Sequence, residues 1–100
     1  MNSHIQIDLR RIAEYCKKWK ITEFAIFGSV LRNDFRPDSD LDILVSFAED
    51  EHWSLYEWVD MIEELKAIFG RDVELVDKAG LRNPFRRHAI LTTREVIYAA

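Results

Sequence analysis

Asp40 and Asp42 stand two residues apart at the head of an alternating run, Asp40-Leu41-Asp42-Ile43-Leu44-Val45. Residues i and i+2 of a strand share a face, so the two carboxylates would lie side by side. Adjacent like charges cost stability unless a cation lies between them. Hard cations such as Mg²⁺ prefer oxygen ligands. Upstream, a short apolar run stops at Gly28-Ser29. Backbone amides opening a helix there, with the Ser29 hydroxyl, could hold phosphate oxygens, and Gly28 would let the backbone approach a ligand closely. A third acid, Glu74, alternates with Val73 and Leu75. If those two pack with Leu41 and Ile43, Glu74 shares the face of Asp40 and Asp42. Three carboxylates from two strands beside a phosphate-binding turn suit two-metal phosphoryl or nucleotidyl transfer. One ion would lower the pKa of an attacking hydroxyl; the other would hold the triphosphate and offset charge on leaving pyrophosphate. Such chemistry needs no covalent enzyme nucleophile, only positioning and electrostatics.

Each of these features also has a plainer reading. Gly28-Ser29 could be an ordinary strand-to-helix turn with Ser29 as cap. Asp40 and Asp42 could be two exposed carboxylates on a solvated face, and Glu74 an exposed structural residue. Arg82, Arg86, Arg87 and His88 make the C-terminal region locally basic, as a solvated face or as a contact for phosphate or an acidic partner. His4, His52 and His88 show no metal-ligand spacing and pair with no Ser or Cys nucleophile.

The elements that would carry these residues follow from periodicity. Ile5, Leu9, Ile12, Ala13 and Cys16 fall at helical spacing and predict an amphipathic helix over 6–19, with Cys16 a buried thiol. Glu23 to Phe27 is the first strand and Asp40 to Phe47 the second, with Leu41, Ile43, Val45 and Phe47 on the core face. Arg36-Pro37-Asp38-Ser39 reads as a turn before it. Ser54-Leu55-Tyr56-Glu57 fits a capping box, and Leu55, Trp58, Val59, Ile62, Leu65 and Phe69 form an apolar stripe that Gly70 ends. Asp72 to Asp77 is the third strand. Asn83-Pro84 opens a helix over 84–91, and Arg94 to Tyr98 is either an edge strand or a last helical turn. The sum is one α/β domain spanning 1–100: a small mixed sheet with helices packed on one face and carboxylates on the other.

Composition narrows the function. The 100 residues, 48% hydrophobic, suit one globular domain. No apolar run reaches the roughly 20 residues that span a bilayer, and Asp8, Arg10 and Arg11 interrupt any signal-peptide pattern. A lone cysteine makes a cytoplasmic setting the default. A net charge of −4 argues against direct nucleic-acid binding.

The stretch GSVLRNDFRPDSDLDILV resembles the signature of the minimal nucleotidyltransferases, the small branch of the DNA polymerase β-like superfamily: Gly-Ser, an Arg three residues after the Ser, then Ser-Asp-x-Asp. The match continues at GRDVELVD and LRNPFRRHAILTTREVIYA, nearly the whole chain. The resemblance implies a polymerase β-like palm. In it Gly28 and Ser29 grip the triphosphate of ATP, Arg32 lies near the phosphates, Ser39 belongs to the binding motif, and Asp40, Asp42 and Glu74 hold two Mg²⁺ ions. The family usually has Asp, in a Val-Asp-Leu-Val context, where this chain has Glu74; Asp77 is a fallback by position, but its parity sends it to the opposite face. The resemblance further implies an antitoxin that transfers AMP to a tyrosine of a HEPN-type toxin encoded nearby. Two alternatives are a domain that neutralises the toxin by occlusion without chemistry, and a transferase acting on RNA or a small-molecule hydroxyl.

Overall fold

Asp8 starts the first helix. Its carboxylate accepts hydrogen bonds from the backbone amides of Arg10 (3.1 Å) and Arg11 (3.2 Å), donors that a helix N-terminus leaves without intrahelical partners. Helix α1 (Leu9–Trp19) closes on Lys20 in a left-handed conformation, which turns the chain directly into strand β1 (Ile21–Phe27). The coordinates are a computed structural model that describes residues 7–28, 39–49 and 52–100. The expected turn over 36–39 therefore lies outside the described residues except for Ser39.

Strand β2 (Leu41–Phe47) leads to α2 (Leu55–Phe69), which opens on the capping box read from the sequence. The Ser54 amide donates to Glu57 Oε1 at 3.0 Å, and the Glu57 amide donates to Ser54 Oγ at 3.3 Å. Gly70, at φ +68°, ends the helix. Strand β3 (Val73–Asp77) runs into a 3-10 turn, Lys78–Gly80, capped by the Asp77 carboxylate on the Ala79 amide. Asn83 caps α3 (Pro84–Thr93) by accepting from the Phe85 and Arg86 amides. Strand β4 (Glu95–Ala99) completes the chain. The element that periodicity left open between a strand and a helical turn is thus an edge strand.

The sheet has the order β3-β2-β1-β4, with β2 parallel to β3 and β1 antiparallel to both of its neighbours. Alternation along each strand sends side chains to two different cores. One face carries Phe24, Ile26, Leu41, Ile43, Val45 and Leu75, packed under Ile12, Tyr15, Cys16 and Trp19 of α1 and Met61 and Leu65 of α2. The Tyr15 hydroxyl donates to the Met61 carbonyl at 3.2 Å, and Glu64 of α2 accepts from both Lys18 and Trp19 of α1. Cys16 is buried as expected, and burial pushes its thiol up to about 12, so it stays a packing residue.

Two details differ from the sequence reading. In α2, Leu55 is 76% exposed and Val59 48% exposed. The inward line instead runs through Trp58, Met61, Leu65 and Ile68, and both outliers fall off it or in the first turn. The second difference concerns layers. Only α1 and α2 cover the main core, whereas α3 packs on the opposite face, where Ile90 and Leu81 close a smaller core with Ala25, Phe27 and Leu44. Leaving β3 on one side of the sheet and entering β4 on the other, α3 crosses the face that carries the carboxylates.

A three-way ion pair pins that crossing. Glu23 of β1 accepts from Arg94 Nε at 2.8 Å and from Lys78 Nζ at 3.3 Å. Burial opposes its charge, but the hydrogen bonds and charges of Arg94 and Lys78 outweigh that cost and hold the carboxyl below its ordinary 4.5. A depressed folded pKa gives stability that is present above the unfolded value and lost as pH falls through the folded one. Glu23→Gln should therefore destabilise the fold near neutral pH by about 1–3 kcal/mol and flatten its stability loss below pH 4.5, measured by urea unfolding across pH.

Candidate active site

The parallel register decides the site. Asp42 of β2 stands directly beside Glu74 of β3, as Leu41 stands beside Val73 and Ile43 beside Leu75. Leu41, Ile43 and Leu75 turn into the helix-covered core, with Val73 packed against it. Asp42 and Glu74 are therefore turned together to the other face. Their carboxyl groups interact, and Glu74 favours the protonated form of Asp42. Burial, then the bond to and charge of Glu74, then the charge of Asp40, push the Asp42 carboxyl up to about 6; Arg86 pulls the other way.

Gly28 makes room for this pair. In the antiparallel register Phe27 lies opposite Asp42, and Gly28 follows at the strand end with φ +76°. A Cβ on Gly28 would lie 3.2 Å from Asp42 Cγ and would collide with Oδ2. Glycine is thus required twice here, for the left-handed backbone and for the approach of the carboxylate. The sequence reading assigned that close approach to a bound ligand; within the described residues it is Asp42 that makes it.

Asp40 sits exposed immediately before β2. The segment is tied down on either side: Arg71 Nη1 donates to the Ser39 carbonyl at 3.3 Å, and the Leu41 amide donates to the Asp72 carbonyl at 2.9 Å. Asp40 acts on Asp42 through charge. Asp77 caps the 3-10 turn and stays out of the cluster. Ser29 and Arg32 lie outside the described residues.

Arg86, which sequence reasoning placed only in a basic cluster, stands beside the candidate carboxylates. Its Nη2 lies 3.6 Å from Glu74 Oε1. The signal was the Asn83-Pro84 helix start, which sets the phase of α3; what could not be read was the face on which α3 packs. The neighbouring Arg87 points elsewhere, donating to the Lys78 carbonyl at 3.0 Å. Concavities of about 320 and 410 Å³ beside α1 and α2, lined by Lys18, Glu64 and Ala67, belong to the helix-covered side and not to the carboxylates.

The donor set suits a hard divalent cation in one specific sense. Among the described residues no three acidic, His or Cys side chains converge into a ready-made cage. Mg²⁺, however, is ordinarily held by one or two carboxylates together with substrate phosphates and water. The Asp42–Glu74 pair, all oxygen and already needing a positive charge between its members, fits that mode, with Asp40 alongside.

A family description of a nucleotidyltransferase domain matches residues 9–97. The chain belongs to that family. It is a nucleotidyltransferase. It is 35% identical to the protein adenylyltransferase MntA of Thermococcus cleftensis over 85% of this chain and 81% of that protein. Among solved structures, its fold resembles a chain of a toxin–antitoxin complex with AMP-PNP at a TM-score of 0.74 and 18% identity, covering 94% of this chain and 75% of that one. It also resembles a chain of the complex between a tri-AMPylated Shewanella oneidensis HEPN toxin and its MNT antitoxin, at a TM-score of 0.66 and 18% identity, covering 92% and 70%. Both likenesses concern the fold, a mixed sheet flanked by helices.

Two outcomes follow for this nucleotidyltransferase. The Asp42 carboxyl is raised from 3.8 to about 6, so its stabilising protonated form persists at low pH and is lost as pH rises through about 6. Asp42→Asn should leave thermal stability nearly unchanged around pH 4 and raise it around pH 7.5, by on the order of 1 kcal/mol after allowance for solvent screening. Gly28→Ala should destabilise the protein by about 1–2 kcal/mol through its left-handed backbone alone. By moving Asp42 it should also abolish that pH-dependent difference, read from melting curves at the two pH values.

Proposed function

We propose that this domain, working as a single unit, is a Mg²⁺-dependent protein adenylyltransferase. In this reading it moves AMP from ATP to a hydroxyl, most simply a tyrosine, of a partner HEPN-type toxin, and so acts as that toxin's antitoxin in the cytoplasm. The observation that carries the reading is the Asp42–Glu74 pair held across β2 and β3 beside Gly28. The names of its relatives and the AMPylated toxin complex among its structural neighbours support the acceptor class.

In the reaction the acceptor oxygen attacks the α-phosphorus of ATP, the bond from that phosphorus to the α–β bridging oxygen breaks, and pyrophosphate leaves. The acceptor loses its proton to a carboxylate or through it to water. Asp42 and Glu74 sit where two parallel strands begin together, so their oxygens can face the phosphates and the acceptor at once. Asp42 and Glu74, with Asp40 alongside, would hold Mg²⁺, which would neutralise phosphate charge and make the acceptor hydroxyl more acidic. Glu74 is the proposed acceptor of that proton, and Asp40 would add negative charge that anchors the cation. Gly28, lacking a Cβ, leaves the space that the Asp42 side chain occupies, and Ser29, Ser39 and Arg32 are the proposed triphosphate contacts. Catalysis is thus assigned to positioning and charge.

A second reading is neutralisation by occlusion alone. One observation favours it: Glu74, a methylene longer than the usual Asp, is engaged by Arg86 at 3.6 Å. Incubation with α-labelled ATP, Mg²⁺ and the protein encoded beside this chain separates the two. We expect label on a tyrosine of the partner, reduced about 10²-fold or more in Asp40→Asn and Asp42→Asn and absent with EDTA. Inhibition of the partner that survives both substitutions, with no label transferred, establishes occlusion instead. Label on added RNA and none on protein reassigns the acceptor.

A further inference from the structure

Five of the 14 Lys and Arg residues, and none of the 18 Asp and Glu, fall between Lys78 and Arg94. Three of these cations are spent on structure. Lys78 and Arg94 hold Glu23, and Arg87 donates to the carbonyls of Lys78 and Leu81. The other two, Arg82 and Arg86, are exposed, and between them in sequence Phe85 is 86% exposed. The Asn83 cap and Pro84 lock the backbone that presents them.

Arg86 reaches Glu74, so this strip borders the carboxylate site directly. The strip is cationic and apolar, whereas Asp40, Asp42, Asp72 and Glu74 make the β2 and β3 ends of the site negative. We propose that Arg82, Phe85 and Arg86 form the docking rim for the acceptor, a protein segment whose hydroxyl-bearing residue is flanked by acidic side chains. The proposal rests on the transfer reading above and names the chemistry of its substrate. An acidic segment is repelled by the strand ends and attracted over α3, which leaves its hydroxyl beside Asp42 and Glu74. Phe85 supplies the apolar contact that such a segment covers. The Arg86–Glu74 pair is half-exposed on both sides, and exposed pairs contribute little, so Arg86 can exchange Glu74 for a carboxylate of the acceptor. Aromatic and Arg side chains can also hold single-stranded nucleic acid; the surrounding carboxylates and the net charge of −4 favour a protein segment.

The probe is a fluorescent glutamate–tyrosine copolymer, against a lysine–tyrosine copolymer and a single-stranded oligoadenylate. Binding is read by anisotropy with the full chain, without ATP, in wild type, Phe85→Ser, Arg82→Glu and Asp42→Asn. Tyr56→Ser is the control, since Tyr56 is equally exposed at 86% but lies at the opposite end of β2, in the first turn of α2. We expect the acidic copolymer to bind at least about tenfold tighter than the basic one. Phe85→Ser and Arg82→Glu should each weaken it about fivefold or more, while Asp42→Asn bind no worse than wild type and Tyr56→Ser match it. With α-labelled ATP, the same two rim variants should raise KM for the copolymer and leave KM for ATP unchanged. Equal binding of the two copolymers, or rim variants that match wild type, overturns the proposal, as does tighter binding of the oligoadenylate that is lost in those variants. Because binding is read without ATP, a chain that binds as expected yet transfers no AMP counts against the transfer reading and not against the rim.

Discussion

Two carboxylates pressed together across parallel strands are the constraint from which the rest of this structure can be understood. Asp42 and Glu74 are direct neighbours in the β2–β3 register, and like charges so placed are unfavourable without a compensating cation or a shared proton. The backbone around them is built to keep the arrangement. Gly28 gives Asp42 its space, and the Asp72 carbonyl and Arg71 hold the start of β2. The cost is carried by the other face of the same strands, where Leu41, Ile43 and Val45 are fully buried under α1 and α2. Alternation is what allows one strand to do both: Leu41 and Ile43 enter the main core while Asp42 between them faces the other way.

The sheet has unequal coverage, and that inequality has chemical consequences. The α1–α2 side is a continuous apolar layer with aromatic contacts such as Tyr15–Phe24 and Trp19–Trp53. The α3 side is a small core beside a polar site. Because α3 is held by Ile90, Leu81 and the Glu23 ion pairs, it places cations next to a group of acids without covering them. Positive and negative charge therefore stand side by side around one strand end, on a chain that is acidic overall.

Glu74 illustrates how one methylene changes local chemistry without changing the fold. A shorter acid at this position would still face Asp42, because strand parity sets the direction. The longer side chain also meets Arg86. That contact ties the chemistry of the strand ends to the helix that crosses them, so a substitution on α3 is felt by the carboxylates.

How much was legible in the residues depends on the range of the interaction. Periodicity and capping act within a few residues, and they located the strands and helices to within a few positions: the Ser54–Glu57 box, the Asn83-Pro84 start and the Gly70 stop all stand where they were read. Parity within a strand was equally local, which is why the shared direction of Asp42 and Glu74 could be expected once the third strand was recognised. Strand-to-strand register is non-local, and so are the face chosen by α3, the exposure of Leu55 and Val59, and the meeting of Arg86 with Glu74. Each depends on which distant surfaces find one another, a matter settled by burying the most apolar area at once and not by any single segment. The sequence by itself determined which carboxylates alternate with core residues and which way their strands point them; the tertiary structure alone decided who their neighbours are, because hydrogen-bonded pairing and packing link residues that the chain separates.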